Sequence, residues 1–413
     1  IVLFLAYAVV YVGEGSIQIG GFGFPYKYLL SICIIGITFL WFMVSPDFEK
    51  GKKCFLYALV FATPLLISIL YSMLIWILRF MGLRFMTRGL FYPTYVIIAI
   101  CTAASLVYVY ETRAVWVMTF VLVSMCIYRM VLSMIEAGPA VWFEQWLLLM
   151  QTFGIEVGHY MSVYEEYNEI LFGVGIFLMY FVIMMIEQKK LRQNVFMWLF
   201  FLLGVFAFIT GFKRIALIAI PICLLIYLIA LPMNDRIRRR LAIVVSVITI
   251  LFSLVYLIFV ATNLFTEIAV IFGIDTKGRD ELFDSVKGWY SFSPVFFGQG
   301  LGYVSRTLAE QQAILRATMG ENAYIAGEIH NDILRNYIEL GFYGFPIWLY
   351  LMTILRVRFF EKSGGGKAAI VAVICILYMF ITYTTDNTYY YNMPNLAAAL
   401  TAMTFAYQKE TSP

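Results

Sequence analysis

The chain is expected to fold as an all-α, polytopic bundle of about twelve transmembrane helices, with a long, partly helical external loop. Three observations lead there. Hydrophobic residues make up 62% of the 413 and charged ones only 13%, with a mean hydropathy of +0.86, so little polar surface is left for a soluble domain. Apolar runs approaching the roughly 20 residues that a spanning helix needs recur along the whole length. Backbone polar groups must be paired internally in lipid, and the alternation of barrel strands is absent, so these runs are read as helices.

In order, the runs fall at 1–13, 26–45, 54–78, 94–110, 114–135, 170–186, 195–211, 215–231, 241–261, 341–357, 368–384 and 393–408. The first is short and opens on Ile1 inside apolar sequence, so residues are expected to precede it; no cleavable signal is seen. Basic residues in the short connections set the orientation. Lys50, Lys52 and Lys53 precede the third run, Arg113 the fifth, and Lys189, Lys190 and Arg192 the seventh. Arg236, Arg238, Arg239 and Arg240 precede the ninth, Arg356 at the end of the tenth is followed by Arg358, Lys362 and Lys367 before the eleventh, and Lys409 follows the last. These turns and both termini are therefore assigned to the cytoplasm, and Ser363-Gly364-Gly365-Gly366 reads as a flexible turn there.

The opposite side carries the longer connections. The segment 136–169 holds Glu136, Glu144, Glu156, His159, Glu165, Glu166 and Glu169, interleaved with Trp142, Trp146, Tyr160, Tyr164 and Tyr167. The stretch 262–340 is the longest polar one, and its helical periodicity and aromatics favour a fold over the outer face of the bundle. The chain thus divides into 1–261 (helices with the external segment 136–169), 262–340 (a large external catalytic loop) and 341–413 (the last helices). Cys33, Cys54, Cys101, Cys126, Cys223 and Cys375 sit in or at the ends of apolar runs without a CxxC pair, so no disulfide framework, zinc site or thiol nucleophile is expected.

Outer-side cations break the orientation rule. Arg79, Arg84 and Arg88 lie between the third and fourth runs, Lys213 and Arg214 in the tight turn after the seventh, and Lys277, Arg279 and Lys287 at the head of the long loop. Arginines can simply snorkel to headgroups, and that reading stands beside a functional one for the first trio. Lys213 and Arg214 are held at membrane depth with no adjacent acid, which favours an anionic ligand such as a lipid diphosphate. Arg129, inside an apolar run, is expected to face the bundle interior in a structural role.

His330 is one of only two histidines and stands in Glu328-Ile329-His330-Asn331-Asp332. Apolar positions 329, 333, 334, 337, 338 and 340 give a helical face, which puts His330 about a turn above the membrane. Imidazole is suited to proton abstraction; an ordinary interfacial polar residue is the bland alternative. From Gly211 to Gly344 the chain resembles the O-antigen ligase and polymerase superfamily, the Wzy-type polymerases and their ligase relatives. The resemblance rests on Gly211-Phe212-Lys213-Arg214 heading a helix, on Gly278-Arg279 with Trp289 following, on Gly298-Gln299-Gly300-Leu301-Gly302, and on His330-Asn331 followed by Leu334, Glu339, Gly341 and Gly344. Lys213 stands where relatives often have a small residue.

The resemblance implies a GT-C-like membrane glycosyltransferase that moves a glycan from an undecaprenyl-diphosphate carrier to an acceptor hydroxyl, with no metal or other cofactor. It implies that Arg214 and Arg279 hold the diphosphate and His330 activates the acceptor, with Lys213, Arg79, Arg84, Arg88, Asn331, Trp289 and Tyr324 as further substrate-binding candidates. Implied partners are the lipid-linked donor and acceptor, membrane lipid, a chain-length regulator and a flippase, and no nucleic acid. Two histidines far apart, with no Asp-x-Asp in the loops, do not build a metal site. Tyr290 and the Tyr389-Tyr390-Tyr391 run offer flat faces for sugars, or an ordinary interfacial belt, and His159 could meet the acceptor glycan. Polymerase is preferred over a ligase acting on lipid A core or another acceptor, because the Ile-, Phe-, Lys- and Tyr-rich composition suggests an AT-rich source. A transporter would place its polar site near the bilayer midplane, and a scaffold leaves the outer cations without a purpose.

Overall fold

A computed structural model describes residues 1–11, 15–19, 22–152, 168–262, 264–272, 279–319 and 328–411. The helices that build the bundle are α1 (Val2–Tyr11), α2 (Tyr26–Val44), α3 (Phe48–Leu78), α4 (Leu83–Tyr110), α5 (Ala114–Ala137), α6 (Pro139–Gln151), α7 (Asn168–Glu187), α8 (Val195–Thr210), α9 (Arg214–Ala230) and α10 (Asp235–Ala261). The long loop holds α11 (Leu264–Phe272), α12 (Arg279–Ser285) and α13 (Tyr303–Met319), and α14 (Asp332–Tyr350), α15 (Arg356–Thr382) and α16 (Asn392–Thr411) complete the chain. Polar side chains start several of these helices. Asp47 accepts from the Lys50 amide, Asn234 from Ile237, and Asn331 from Leu334, each filling an otherwise orphaned donor of the first turn.

Each apolar run expected from the sequence lies on a helix. Among the described residues six stretches are long and apolar enough to cross a membrane, against about twelve spans expected. The difference has a physical origin. The stretches Phe85–Ala137 and Asp332–Thr382 are helix pairs, turned at Glu111–Arg113 and at Gly364 and Gly365, while Val2–Tyr11, Val195–Thr210 and Arg214–Ala230 are shorter. An antiparallel hairpin of β1 (Ser16–Ile19) and β2 (Phe22–Pro25) departs from the all-α expectation. α6 folds back on α5, where Trp142 Nε1 donates to Ser133 Oγ at 3.0 Å. Residues 153–167, with His159, lie outside the described residues.

The core is made by α7, α15 and α16, whose buried faces meet α4, α9 and α10. The flanking helices turn Phe39, Leu40, Leu225, Leu251 and Val255 outward, as a lipid-facing surface requires. The Lys- and Arg-rich turns collect at one end. There Lys367 Nζ reaches Glu187 Oε2 at 2.6 Å, the Gly366 amide donates to Asp235 Oδ1 at 2.7 Å, and Gly364 packs on Ala406 of α16. Arg356 departs from the expected cytoplasmic turn: a helical run that passes through a π-turn at Leu351–Leu355 carries it inside, where it is buried, stacks on Phe61 and donates to the Phe61 carbonyl.

The other end is closed by the long loop. Gly298 to Gly302 thread between α3, α4 and the kink of α14. The Gln299 and Gly300 amides donate to the Ile338 and Glu339 carbonyls at 3.0 and 2.8 Å, and the Leu301 amide donates to Ser72 Oγ at 3.0 Å. Gly300 (φ +87°) faces Trp76 so closely that a Cβ there would lie 2.1 Å from the indole Nε1. Gly341 (φ +69°) lets its own helix kink against Gly298, whose amide nitrogen a Cβ would meet at 2.2 Å.

Candidate active site

Helix direction brings the expected catalytic residues to the same end of the bundle. α7 runs toward the cation-rich turns, α8 returns, and the turn at Gly211 meets Leu171 near the start of α7. Arg214 heads α9 from this end, exposed, with no hydrogen bond or ion pair among the described residues. Lys213 occupies the position that precedes the helix, and Phe212 adopts a left-handed backbone (φ +43°) to make the turn. His330 does the same (φ +49°). Left-handed backbone at non-glycine residues is strained and gathers at functional sites.

His330 is half-buried. Its Nδ1 lies 3.3 Å from the Asn387 amide nitrogen. Asn387 belongs to the connection between α15 and α16, which is pinned by the next helix: the Asp332 amide donates to the Tyr383 carbonyl at 2.9 Å, and Asp332 Oδ2 accepts from the Tyr389 amide at 2.7 Å. Burial, then the adjacent Asp386 carboxylate, pushes the Tyr391 hydroxyl up, so it stays protonated and donates to Asp386 Oδ1 at 3.0 Å.

Asn331 connects this arrangement to Arg279. Fully buried, it caps α14 with its oxygen and donates through Nδ2 to the Tyr256 hydroxyl at 3.2 Å; that hydroxyl donates in turn to the Thr384 carbonyl at 2.6 Å. Arg279, the first residue of α12, is close enough to Tyr256 to act electrostatically on the same hydroxyl. One tyrosine near the end of α10 therefore bonds the residue beside the histidine and lies within the field of the long loop's arginine.

The remaining candidates divide. Arg79 donates to Gln299 Oε1, and Gln299 Nε2 donates to the Trp289 carbonyl at 3.0 Å, so both residues brace the glycine-rich stretch. The Trp289 ring packs edge-on against Tyr303. Arg84 and Arg88 lie on the first turns of α4, but their side chains, like Tyr324 and Lys277, lie outside the described residues. Arg129 is half-buried near Tyr11, within electrostatic reach of its hydroxyl. Among the described residues no group of three or more His, Cys, Asp or Glu is gathered to hold a metal ion, and the six cysteines are unpaired.

A buried charge cluster beside His330 escaped the sequence reading. Arg335 is 1% exposed; Nη1 reaches Glu328 Oε2 at 3.0 Å, Nε lies 3.7 Å from Glu339 Oε1, and Nη2 donates to Ser305 Oγ. Its guanidinium also lies 4.4 Å from the Tyr390 ring centre and 5.4 Å from that of Tyr92. Glu339 Oε1 in turn accepts from the Val304 amide at 3.3 Å. Arg335 thus ties the start of α13 to the segment two residues ahead of His330. The spacing of Arg335 and Glu339, four apart on the polar face they share with Asp332 and Asn336, was the signal available.

Residues 198–349 match the family described as O-Antigen ligase, and this match supports the chain's membership of the O-antigen ligase and polymerase superfamily of glycosyl-transferring membrane enzymes. The matched stretch runs from α8 to α14 and contains Arg214, Arg279 and His330. No curated protein matches the chain.

Proposed function

We propose that the chain polymerises undecaprenyl-diphosphate-linked oligosaccharide repeat units on the outer face of the cytoplasmic membrane, without metal and with inversion at the anomeric carbon. The observation that carries this reading is the junction at Tyr256, which links the Asn331 side chain beside His330 to the charge of Arg279. Arg214 heads its helix at the same end, inside the matched family stretch. With the Lys- and Arg-rich turns taken as cytoplasmic, both termini lie on that side and this end faces outward.

The leaving group is a diphosphate, so its departure needs charge stabilisation more than protonation. Arg214 and Arg279, with Lys213, supply cationic donors for its oxygens; donors held in place at such a site are worth roughly 3–4 kcal/mol each. The acceptor hydroxyl is a weak nucleophile, and a positioned base contributes roughly 10²–10⁴-fold. His330 Nδ1 faces Asn387. With the Asn387 amide turned so that its oxygen accepts from Nδ1–H, the Nε2 lone pair is free to take the proton as the hydroxyl oxygen attacks the anomeric carbon and the carrier diphosphate leaves.

The family's description favours one second reading, a ligase that transfers finished glycan to lipid A core or another acceptor. Incubating the purified chain with lipid-linked repeat units alone decides between them. A ladder of lengthening products supports the polymerase, and transfer only after a separate acceptor is added supports the ligase. Uptake by sealed vesicles that survives alanine at both Arg279 and His330 would instead revive a transporter.

A further inference from the structure

Beside this site lies a cavity of about 600 Å³ that the reaction described above leaves unused. α4 gives its wall Phe91, Tyr92 and Tyr95, and α13 gives Ser305, Arg306 and Glu310. The rings form a connected aromatic surface: the Phe91 and Tyr95 centres are 6.1 Å apart, and Tyr95 stacks on Tyr28 at 4.0 Å. On α13, Arg306 Nε donates to Glu310 Oε1 at 2.7 Å, so this wall presents both donors and acceptors. Two of the lining residues belong to the Arg335 cluster. Ser305 Oγ donates to Glu328 Oε2 at 3.0 Å, and Tyr92 stacks against Tyr390 and Arg335. Glu328, bonded to the lining residue Ser305, stands two residues ahead of His330 in the chain.

We propose that this cleft is the subsite for the sugar rings of the acceptor glycan, which rest their apolar faces on Phe91, Tyr92 and Tyr95 and bond their hydroxyls to Ser305, Arg306 and Glu310. The proposal rests on the reading of the chain as a glycosyltransferase. A polyprenyl chain is the poorer occupant, because it would take the half-exposed Arg306–Glu310 pair out of water without offering it a further hydrogen bond. Sugar rings satisfy both walls, and the volume falls in the roughly 300–1,000 Å³ range of ligand sites. Glycan lying there is backed by the Glu328–Arg335 cluster that leads into the His330 segment, which makes the cleft a determinant of acceptor choice rather than of carrier binding.

The test uses the full chain in lipid nanodiscs and, as probe, the repeat-unit oligosaccharide released by mild acid from the producing cell's lipid-linked pool. Saturable binding to the unsubstituted chain is expected, weakened about tenfold or more by Tyr95→Ala and by Arg306→Ala. In turnover, acceptor KM should rise by more than kcat falls. The Arg306 side chain is 34% exposed, so Arg306→Ala reads the site even if Tyr95→Ala fails to fold. Absence of probe binding, wild-type affinity in Arg306→Ala, or displacement of the probe by undecaprenyl phosphate alone overturns the proposal. Probe binding that responds to the substitutions without any turnover keeps the sugar site and removes the glycosyltransferase reading instead.

Discussion

Replacing Arg335 by leucine removes the charge that holds three elements together. The guanidinium reaches Glu328 at 3.0 Å and lies 3.7 Å from Glu339, whose side chain is 0% exposed. After the substitution the Glu339 carboxylate stays buried with backbone amides and the Tyr390 hydroxyl around it but no cation, Ser305 loses a donor and Tyr390 loses a cation. Breaking one partner of a buried pair typically costs about 3–5 kcal/mol, most of it the unpaired charge. Thermal or denaturant unfolding of the purified chain, followed by intrinsic fluorescence, measures the loss. Arg335→Leu combined with Glu339→Leu removes the stranded charge, so the double variant is expected to recover about half of that loss or more. A single variant within about 0.5 kcal/mol of the parent, or a double variant no more stable than the single, would refute the assignment of Arg335 as the structural tie.

Other outcomes follow from the same geometry. His330→Ala should abolish chain extension, measured by product ladders, while donor-lipid binding stays near its starting value; collapse of donor affinity would make His330 a binding residue instead. Asn387→Ala should lower kcat by about tenfold or more with little change in donor KM, since it loosens the imidazole without touching the carrier. Tyr256→Phe removes hydrogen bonds of 3.2 and 2.6 Å, costs about 1–3 kcal/mol in unfolding measurements, and should reduce turnover by separating Asn331 from the Arg279 side. Gly300→Ala places a Cβ 2.1 Å from Trp76 Nε1 at a left-handed position, so its unfolding midpoint should fall further than that of Gly288→Ala, where the space is open.

Much of this architecture is legible in the chain because hydropathy and helix length act locally. Span limits such as 54–78 or 241–261 end where α3 and α10 end, since Leu78 is followed by Arg79 and Ala261 by a polar stretch. The helix that begins two residues after His330 was equally visible, through the apolar positions 333, 334, 337 and 338. The hairpin was not seen, although Ile17, Ile19, Phe22 and Phe24 alternate around Gly20-Gly21, which is a hairpin pattern short enough to be lost between apolar runs. Contacts between distant residues were beyond reach. Asn331 and Tyr256 are 75 positions apart, Arg335 and Ser305 are 30 apart, and nothing local distinguishes Tyr92 or Tyr390 from interfacial aromatics. Arg356 misled because positive charge near a helix end usually marks a cytoplasmic turn, whereas here the helix continues and the arginine finds the Phe61 carbonyl.

The central claim is that a carrier diphosphate sits between two arginines within reach of an imidazole. An experimental structure of the chain in lipid with an undecaprenyl-diphosphate-linked repeat unit bound tests it most directly. The account expects the diphosphate to contact Arg214 and Arg279, with the anomeric carbon facing His330 Nε2. A diphosphate bound at the cation-rich end, or lying more than about 15 Å from His330, would contradict it, because a base must come within hydrogen-bond reach of its substrate.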